Sequence, residues 1–206
     1  MGASTGYDLV VFDLGGVLCD FGGVSAMQEL AQIDSVDEIW RRWLTCRWVR
    51  SFEAGRCTPD EFAAGVVADW TLPVTPAEYL VAFESWLAGP FVGAEELVEK
   101  VRAKHPVACL SNTNRLHWER AVSQWRLFDL FDFRFLSFEV GHVKPDAEIF
   151  QRVGTVTGLP LGRVLFLDDN DINVEGARAA GMAAERVRGI EEARTALVAA
   201  GVLTAS

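Results

Sequence analysis

Short apolar runs alternate with longer stretches of helical periodicity along this chain. The first run is Leu9-Val10-Val11-Phe12, within a strand expected over residues 8–13. Val107-Ala108-Cys109-Leu110 is the second, and residues 134–138, 163–167 and 184–187 read as further strands. Uninterrupted apolar runs of this length suit strands buried on both faces. Helical patterns fill the gaps at 95–104, 116–125, 145–156, 175–180 and 190–200, with Gly181 placed to end the fourth. Such alternation predicts an α/β fold: a doubly wound, Rossmann-like parallel sheet with right-handed crossovers.

Between residues 21 and 89 the pattern changes. It becomes helical throughout and carries Trp40, Trp43, Trp48, Trp70 and Trp86. Ile39, Trp43, Cys46 and Arg50 recur at helical spacing, as do Phe62, Val66 and Trp70. Thr58-Pro59-Asp60-Glu61 has the form of a capping box with proline in the first turn, and Thr75 before Pro76 is a second cap. The expected organisation is therefore an α/β core built from 1–20 and 90–206, with an α-helical cap, 21–89, inserted after the first strand. The tryptophans are expected to form the core of the small bundle rather than a binding stripe.

Three of the apolar runs end on polar groups. Asp13 follows the first and precedes Leu14-Gly15-Gly16; Ser111-Asn112-Thr113 follows the second; Asp168-Asp169-Asn170 follows Val164-Leu165-Phe166-Leu167. Lys144 stands in Gly141-His142-Val143-Lys144-Pro145-Asp146. A parallel sheet brings such strand ends to one edge, where open α/β sheets place their ligands. Glycines beside a carboxylate let main-chain N–H groups approach an anion. The carboxylate itself can attack phosphorus or hold a metal. Taken singly, each group has a plain structural alternative: a turn, a helix cap or a solvated lysine. Two adjacent carboxylates at one strand end repel each other unless a cation is near, which favours a metal site.

Composition narrows the function classes. The 206 residues are half hydrophobic, enough for a sizeable core. A formal net charge of -10 disfavours both sequence-independent nucleic-acid binding and an anionic membrane surface. It leaves an anionic small molecule open, because one lysine and a metal can set the local field. No apolar stretch is long enough to span a bilayer. Met1-Gly2-Ala3-Ser4-Thr5-Gly6 shows no signal-peptide pattern, so the cytoplasm is the expected compartment. Cys19, Cys46, Cys57 and Cys109 form no C-x-x-C pair and are expected to be free, buried thiols.

With these motifs in order, the chain resembles the haloacid dehalogenase-like hydrolase superfamily, most of whose members are phosphatases. Asp13-Leu14-Gly15 resembles its first motif, Ser111 the second, Lys144 the third and Asp168-Asp169 the fourth. Phe52-Glu53-Ala54-Gly55-Arg56 and the residues after it resemble a stretch of the family's helical caps. The resemblance implies a small phosphorylated metabolite as substrate. Asp13 would be the nucleophile, passing through an aspartyl phosphate, with Ser111 and Lys144 as further catalytic groups. Gly16, Ser111, Asn112 and Lys144 would bind phosphate. Mg²⁺ would be held by Asp13, the Gly15 main-chain carbonyl and Asp169, with Asp168 acting through water.

One position departs from the family pattern. Gly15 stands where most of these phosphatases carry a second aspartate, which protonates the leaving group and activates water. Its loss disfavours a mutase and slow-leaving alkyl phosphates, and favours better leaving groups such as an anomeric oxygen. A branch with the same Asp-Leu-Gly opening includes sugar 1-phosphate phosphatases. Asp20 is a candidate substitute acid or, equally, a turn residue. Arg47, Arg50, Ser51 and Glu53 are cap residues that are candidates to face the site, which of them do so being left open. His117 and His142 have no supported role, although His142, beside the lysine, could reach substrate, and histidine does not suit an oxygen-rich metal site. Two other readings stay open: a metal-free 2-haloacid dehalogenase, and a weakly catalytic metabolite-binding or regulatory protein.

Overall fold

The computed structural model of the chain describes residues 6–204. The signal-peptide expectation at residues 1–5 thus lies outside the described residues. The chain opens with β1 (Leu9–Phe12) and a short strand β2 (Cys19–Phe21). Five helices follow: α1 (Gly23–Ala31), α2 (Val36–Thr45), α3 (Arg47–Glu53), α4 (Pro59–Trp70) and α5 (Pro76–Glu84). After β3 (Leu87–Pro90) come α6 (Ala94–Arg102), β4 (Val107–Ser111), α7 (Arg115–Gln124), β5 (Phe133–Leu136), the one-turn α8 (Ser137–Val140) and α9 (Ala147–Thr157). The chain ends with β6 (Val164–Asp168), α10 (Asp171–Ala179), β7 (Ala183–Arg186) and α11 (Gly189–Ala199).

Five strands form one parallel sheet in the order β5-β4-β1-β6-β7. Successive side chains of a strand face opposite layers. Val10 and Phe12 of β1 accordingly join Leu97, Val101, Ala193 and Leu197 of α6 and α11 in one cluster. Leu9 and Val11 join Ile149, Phe150, Val174 and Ala177 of α9 and α10 in the other. All four β1 side chains are fully buried. At about 1.5–3 kcal/mol for each buried aliphatic or aromatic side chain, this anchors the strand that carries Asp13. The doubly wound reading of the sequence is thus the architecture.

The helices α1–α5 share a third cluster, which includes Trp43, Phe62, Trp70, Tyr79, Phe83 and Trp86. The expected capping box of Thr58 with Glu61 forms, and the expected cap at Thr75 proves to be a second box, with Glu78; each threonine is followed by proline. The sequence reading had helix alone over this stretch. Instead, β2 and β3 pair antiparallel at its two ends, Cys19 opposite Pro90 and Asp20 opposite Gly89. Two strands of three and four residues, one containing Gly and Pro, carry too little alternation to be read. Helix α10 also begins four residues early, because the Asn170 side chain caps it by accepting from the Ile172 N–H. The cysteines are free; three are buried and Cys57 is half-buried. Among the described residues no helix is long and apolar enough to cross a membrane.

Candidate active site

The carboxyl ends of β1, β4 and β6 deliver Asp13, Ser111 and Asp168-Asp169 to one place, as parallel strands on a common edge must. The Asp13 N–H donates to Leu167 O at 2.8 Å, so the sheet ladder continues into Asp13 itself. Its Oδ1 accepts from the Leu14 N–H, also at 2.8 Å. Lys144 arrives from the loop between α8 and α9 and is 1 % exposed. Its ammonium lies 2.8 Å from Asp13 Oδ1 and 2.6 Å from Asp168 Oδ2. A cation this deeply buried is tolerable only when paired, and here two carboxylates pair it.

Asp168 is completely buried. Besides Lys144 it accepts from the Asn170 N–H at 2.9 Å and from Asn173 Nδ2 at 3.0 and 3.2 Å. It therefore orients Lys144 from within the protein. Asp169 is half-buried, and no cation is paired with its carboxylate among the described residues. Ligand oxygens of Asp13, Asp168 and Asp169 lie within 4.8 Å of one another. Gly16, at φ +72°, makes room for this grouping: a Cβ there would stand 2.4 Å from Asp169 Oδ2. Three converging carboxylates and no nitrogen or sulfur donor fit a hard divalent cation such as Mg²⁺.

The electrostatics agree with a cation-seeking site. Burial raises the Asp13 carboxyl; Lys144 opposes that shift, and the charges of Asp168 and Asp169 add to it. Burial and the Asp168 charge push Asp169 up to about 6. Lys144 is held above its ordinary value, burial notwithstanding, by Asp13 and Asp168. The lysine is thus a fixed positive charge, and the carboxylates have more negative charge than it neutralises.

Two phosphate-binding expectations change with the geometry. The Gly16 N–H is committed to Cys19 O at 2.9 Å, and its carbonyl accepts from the Gly189 N–H at 2.8 Å. Gly16 shapes the turn around Asp169 rather than offering its N–H to an anion. Asn112 clasps the main chain of Lys144, donating to its carbonyl at 3.1 Å and accepting from its N–H at 2.7 Å. Its amide sets the lysine loop, with one Nδ2 proton left over. Ser111 is buried at the strand end, and its hydroxyl makes only a long 3.5 Å contact, to Asn112 O.

Above this edge lies a cavity of about 400 Å³. Its floor includes Asp13, Gly15, Ser111, Lys144 and Asp169; its walls include Trp40, Trp43, Phe83 and Glu53 from the helices. Some tryptophans therefore do both jobs, packing the bundle and lining the cavity. Of the four cap residues singled out, only Glu53 lines it. Arg47, Arg50 and Ser51 border a separate cleft, together with His142, which is not among the residues lining the cavity. His117 is structural: Nε2 bonds Phe83 O at 2.7 Å and Nδ1 faces Asn114 Nδ2 at 3.2 Å, fastening α7 to α5. Burial lowers its pKa. The reading of the sequence missed Asn173 and Arg188, which also border the cavity. Asn173 had a signal, one turn into the helix after the acidic pair; Arg188 had none, because it follows a short edge strand.

Comparison with known proteins identifies the family. The sequence profile of the haloacid dehalogenase-like hydrolases matches residues 7–181. The chain belongs to that family. It is 28 % identical over 183 residues to phosphatase MT3486 of Mycobacterium tuberculosis, covering 85 % of this chain and 84 % of that protein. It is 26 % identical over 173 residues to D-ribitol-5-phosphate phosphatase of Bacteroides thetaiotaomicron, covering 80 % and 84 %. Among solved structures, a HAD family enzyme of Bacteroides thetaiotaomicron, in complex with magnesium and inorganic phosphate, superposes with a TM-score of 0.68 at 26 % identity. That superposition covers 88 % of this chain and 94 % of the other.

Proposed function

We propose that this member of the family is a Mg²⁺-dependent phosphatase of a small phosphorylated metabolite, a sugar phosphate being one candidate, and that it works through an aspartyl phosphate. The observation that carries the reading is the convergence of Asp13, Lys144, Asp168 and Asp169 at one sheet edge beneath a cavity of metabolite size. The named phosphatases among its relatives support it. The helices α1–α5 act as the cap, and the free cysteines suit the reducing cytoplasm.

Asp13 attacks phosphorus through one carboxylate oxygen, held on the last rung of the β1 ladder. Lys144 faces that carboxylate in the resting site and then a phosphate oxygen as charge leaves Asp13. Ser111 donates its hydroxyl to the transferring group from the end of β4. Asp168 fixes the lysine. Asp13, Asp169 and the Gly15 carbonyl would hold Mg²⁺, with Asp168 reaching it through water; the ion neutralises charge on the phosphoryl oxygens when bound.

A metal-free dehalogenase is less well supported, since it would leave Asp169 as a half-buried carboxylate with no cation in direct contact, only the more distant charges of Lys144 and Arg188. A screen of phosphorylated metabolites and 2-halo acids, with Mg²⁺ and again with chelator, tests the reading. Phosphate release that needs Mg²⁺ is the expected result. Halide release unaffected by chelator would replace it.

A further inference from the structure

A phosphatase that acts on alkyl esters must protonate the leaving oxygen, and the sheet side of this cavity has no buried group free to do so. Asp13 is the nucleophile and Asp169 belongs with the metal. Lys144 is locked between two carboxylates. Both ring nitrogens of His117 are engaged. Gly15 has no side chain, and Asp20, which also lines the cavity, stands exposed to solvent on the β2–β3 ribbon, with no partner among the described residues of the helices or the lysine loop holding it over Asp13. The helical side offers one carboxyl, Glu53.

Glu53 is half-buried at the end of α3 and lines the same cavity as Asp13 and Lys144. Its position is fixed from both sides. Three residues before it, Arg50 Nη2 bonds Asp146 Oδ2 at 2.6 Å. Three residues after it, the Arg56 guanidinium bonds the Gly141 carbonyl. Gly55, at φ +68°, lets the main chain press on Phe138, where a Cβ would stand 2.5 Å from the carbonyl oxygen. All three contacts fall on residues 138–146, the segment that carries Lys144. The turn bearing Glu53 and the loop bearing the lysine are therefore clamped together, and Glu53 is the helical residue so registered over the sheet edge.

We propose that Glu53 is the general acid and base of this active site, supplied from the helical insertion in place of a side chain at Gly15. The inference rests on the phosphatase reading. In the first step a bond forms between the Asp13 carboxylate oxygen and phosphorus while the ester P–O bond breaks. The released electron pair stays on the leaving oxygen, which takes the proton of the Glu53 carboxyl. In the second step a water oxygen bonds to phosphorus, its proton passes to the Glu53 carboxylate, and the bond from phosphorus to Asp13 breaks.

The electrostatics of Glu53 support this cycle. Burial pushes its pKa up to about 7, against the Trp43 indole N–H, 3.4 Å away, and the charges of Lys144 and Arg50. The buried Tyr79 hydroxyl also feels its charge. A carboxyl that titrates near neutrality serves both as acid and as base.

The test is Glu53→Gln, assayed with Mg²⁺ on two small aromatic esters: 4-nitrophenyl phosphate, whose phenolate leaves without a proton, and 2-phenylethyl phosphate, whose alkoxide does not. Gln keeps an acceptor for Trp43. The expected result is a loss in kcat/KM on the order of 10²–10⁴ for the alkyl ester and less than about tenfold for the aryl ester. Rapid mixing of the variant with the aryl ester should show a burst of nitrophenolate, because dephosphorylation has lost its base. In the wild type, kcat/KM for the alkyl ester relative to the aryl ester should fall as pH rises through about 7, since only the protonated carboxyl donates. Equal losses on both esters, or none, would overturn the assignment of Glu53 and leave the phosphatase reading intact. A folded wild-type protein that hydrolyses neither these esters nor any phosphorylated metabolite would overturn that reading, and the Glu53 inference with it.

Discussion

Around the cavity, the sheet side presents Asp13, Ser111, Lys144 and Asp169, whereas the helical side presents Trp40, Trp43, Phe83 and Glu53. The two regions are built differently. Beneath the charged groups, each strand sends alternate aliphatic side chains into two separate layers. Main-chain ladders then hold the strand ends at fixed spacing, which a buried ion cluster requires. The helical insertion is held by rings: Phe52 stacks on Phe62 with centroids 4.3 Å apart, and Phe83 meets Trp43, Phe62, Tyr79 and Trp86. Aromatic rings pack in several geometries at similar energy, so such a cluster can reshape the wall of a cavity without disturbing its floor. Nucleophile, lysine and acidic pair on the rigid side, with selectivity and the proton donor on the helical side, is the division this arrangement supports.

The largest expected effect lies on the rigid side. Asp13→Asn should abolish turnover and leave the fold intact. More than about a hundredth of the wild-type rate, equivalent to only about 2.7 kcal/mol of barrier, would remove Asp13 as nucleophile. On the helical side, Phe83→Ala should cost about 3–5 kcal/mol, the usual cost of emptying a buried aromatic site. Urea unfolding followed by tryptophan fluorescence reads it, and a loss below about 1 kcal/mol would mean that the ring cluster does not hold the insertion together.

The acidic pair sharpens the comparison within the sheet edge. Asp169→Ala should weaken Mg²⁺ binding more than the roughly 10–100-fold expected from losing a supporting partner, with little change in stability. Asp168→Ala should lower Mg²⁺ affinity less but destabilise the protein, because it removes a partner of buried Lys144. Metal titration and denaturant unfolding of both variants separate the roles, and equal behaviour would mean that they are wrongly divided.

The smallest effect is expected at Gly15. A Cβ there would meet only Phe21 Cβ, at 3.9 Å, so Gly15→Asp has room. With Glu53 already supplying the proton, the new carboxyl should change alkyl-ester turnover less than about tenfold. A gain on the order of 10²–10⁴ would show that the helical side lends no acid and that all the chemistry belongs to the sheet.

Much of this was legible in the residues. Five strand-like runs determined the sheet, and three of them carry the polar groups at its carboxyl edge. The capping signals at Thr58 and Thr75 placed two helices, because caps act within one turn of chain. The β2–β3 ribbon escaped notice because its strands are too short to show a period. The free thiols and the aromatic core of the insertion followed from local chemistry. Only the tertiary structure decided which polar atoms were already spoken for. Asn112 and Gly16 look like anion donors in sequence, yet their groups are engaged by Lys144 and Cys19, residues that the fold brings against them. Likewise Arg50 and Glu53 are neighbours on one helix, yet Arg50 docks on Asp146 while Glu53 lines the cavity. Sequence spacing determines which face of a helix a residue occupies, whereas what stands opposite that face is set by long-range packing.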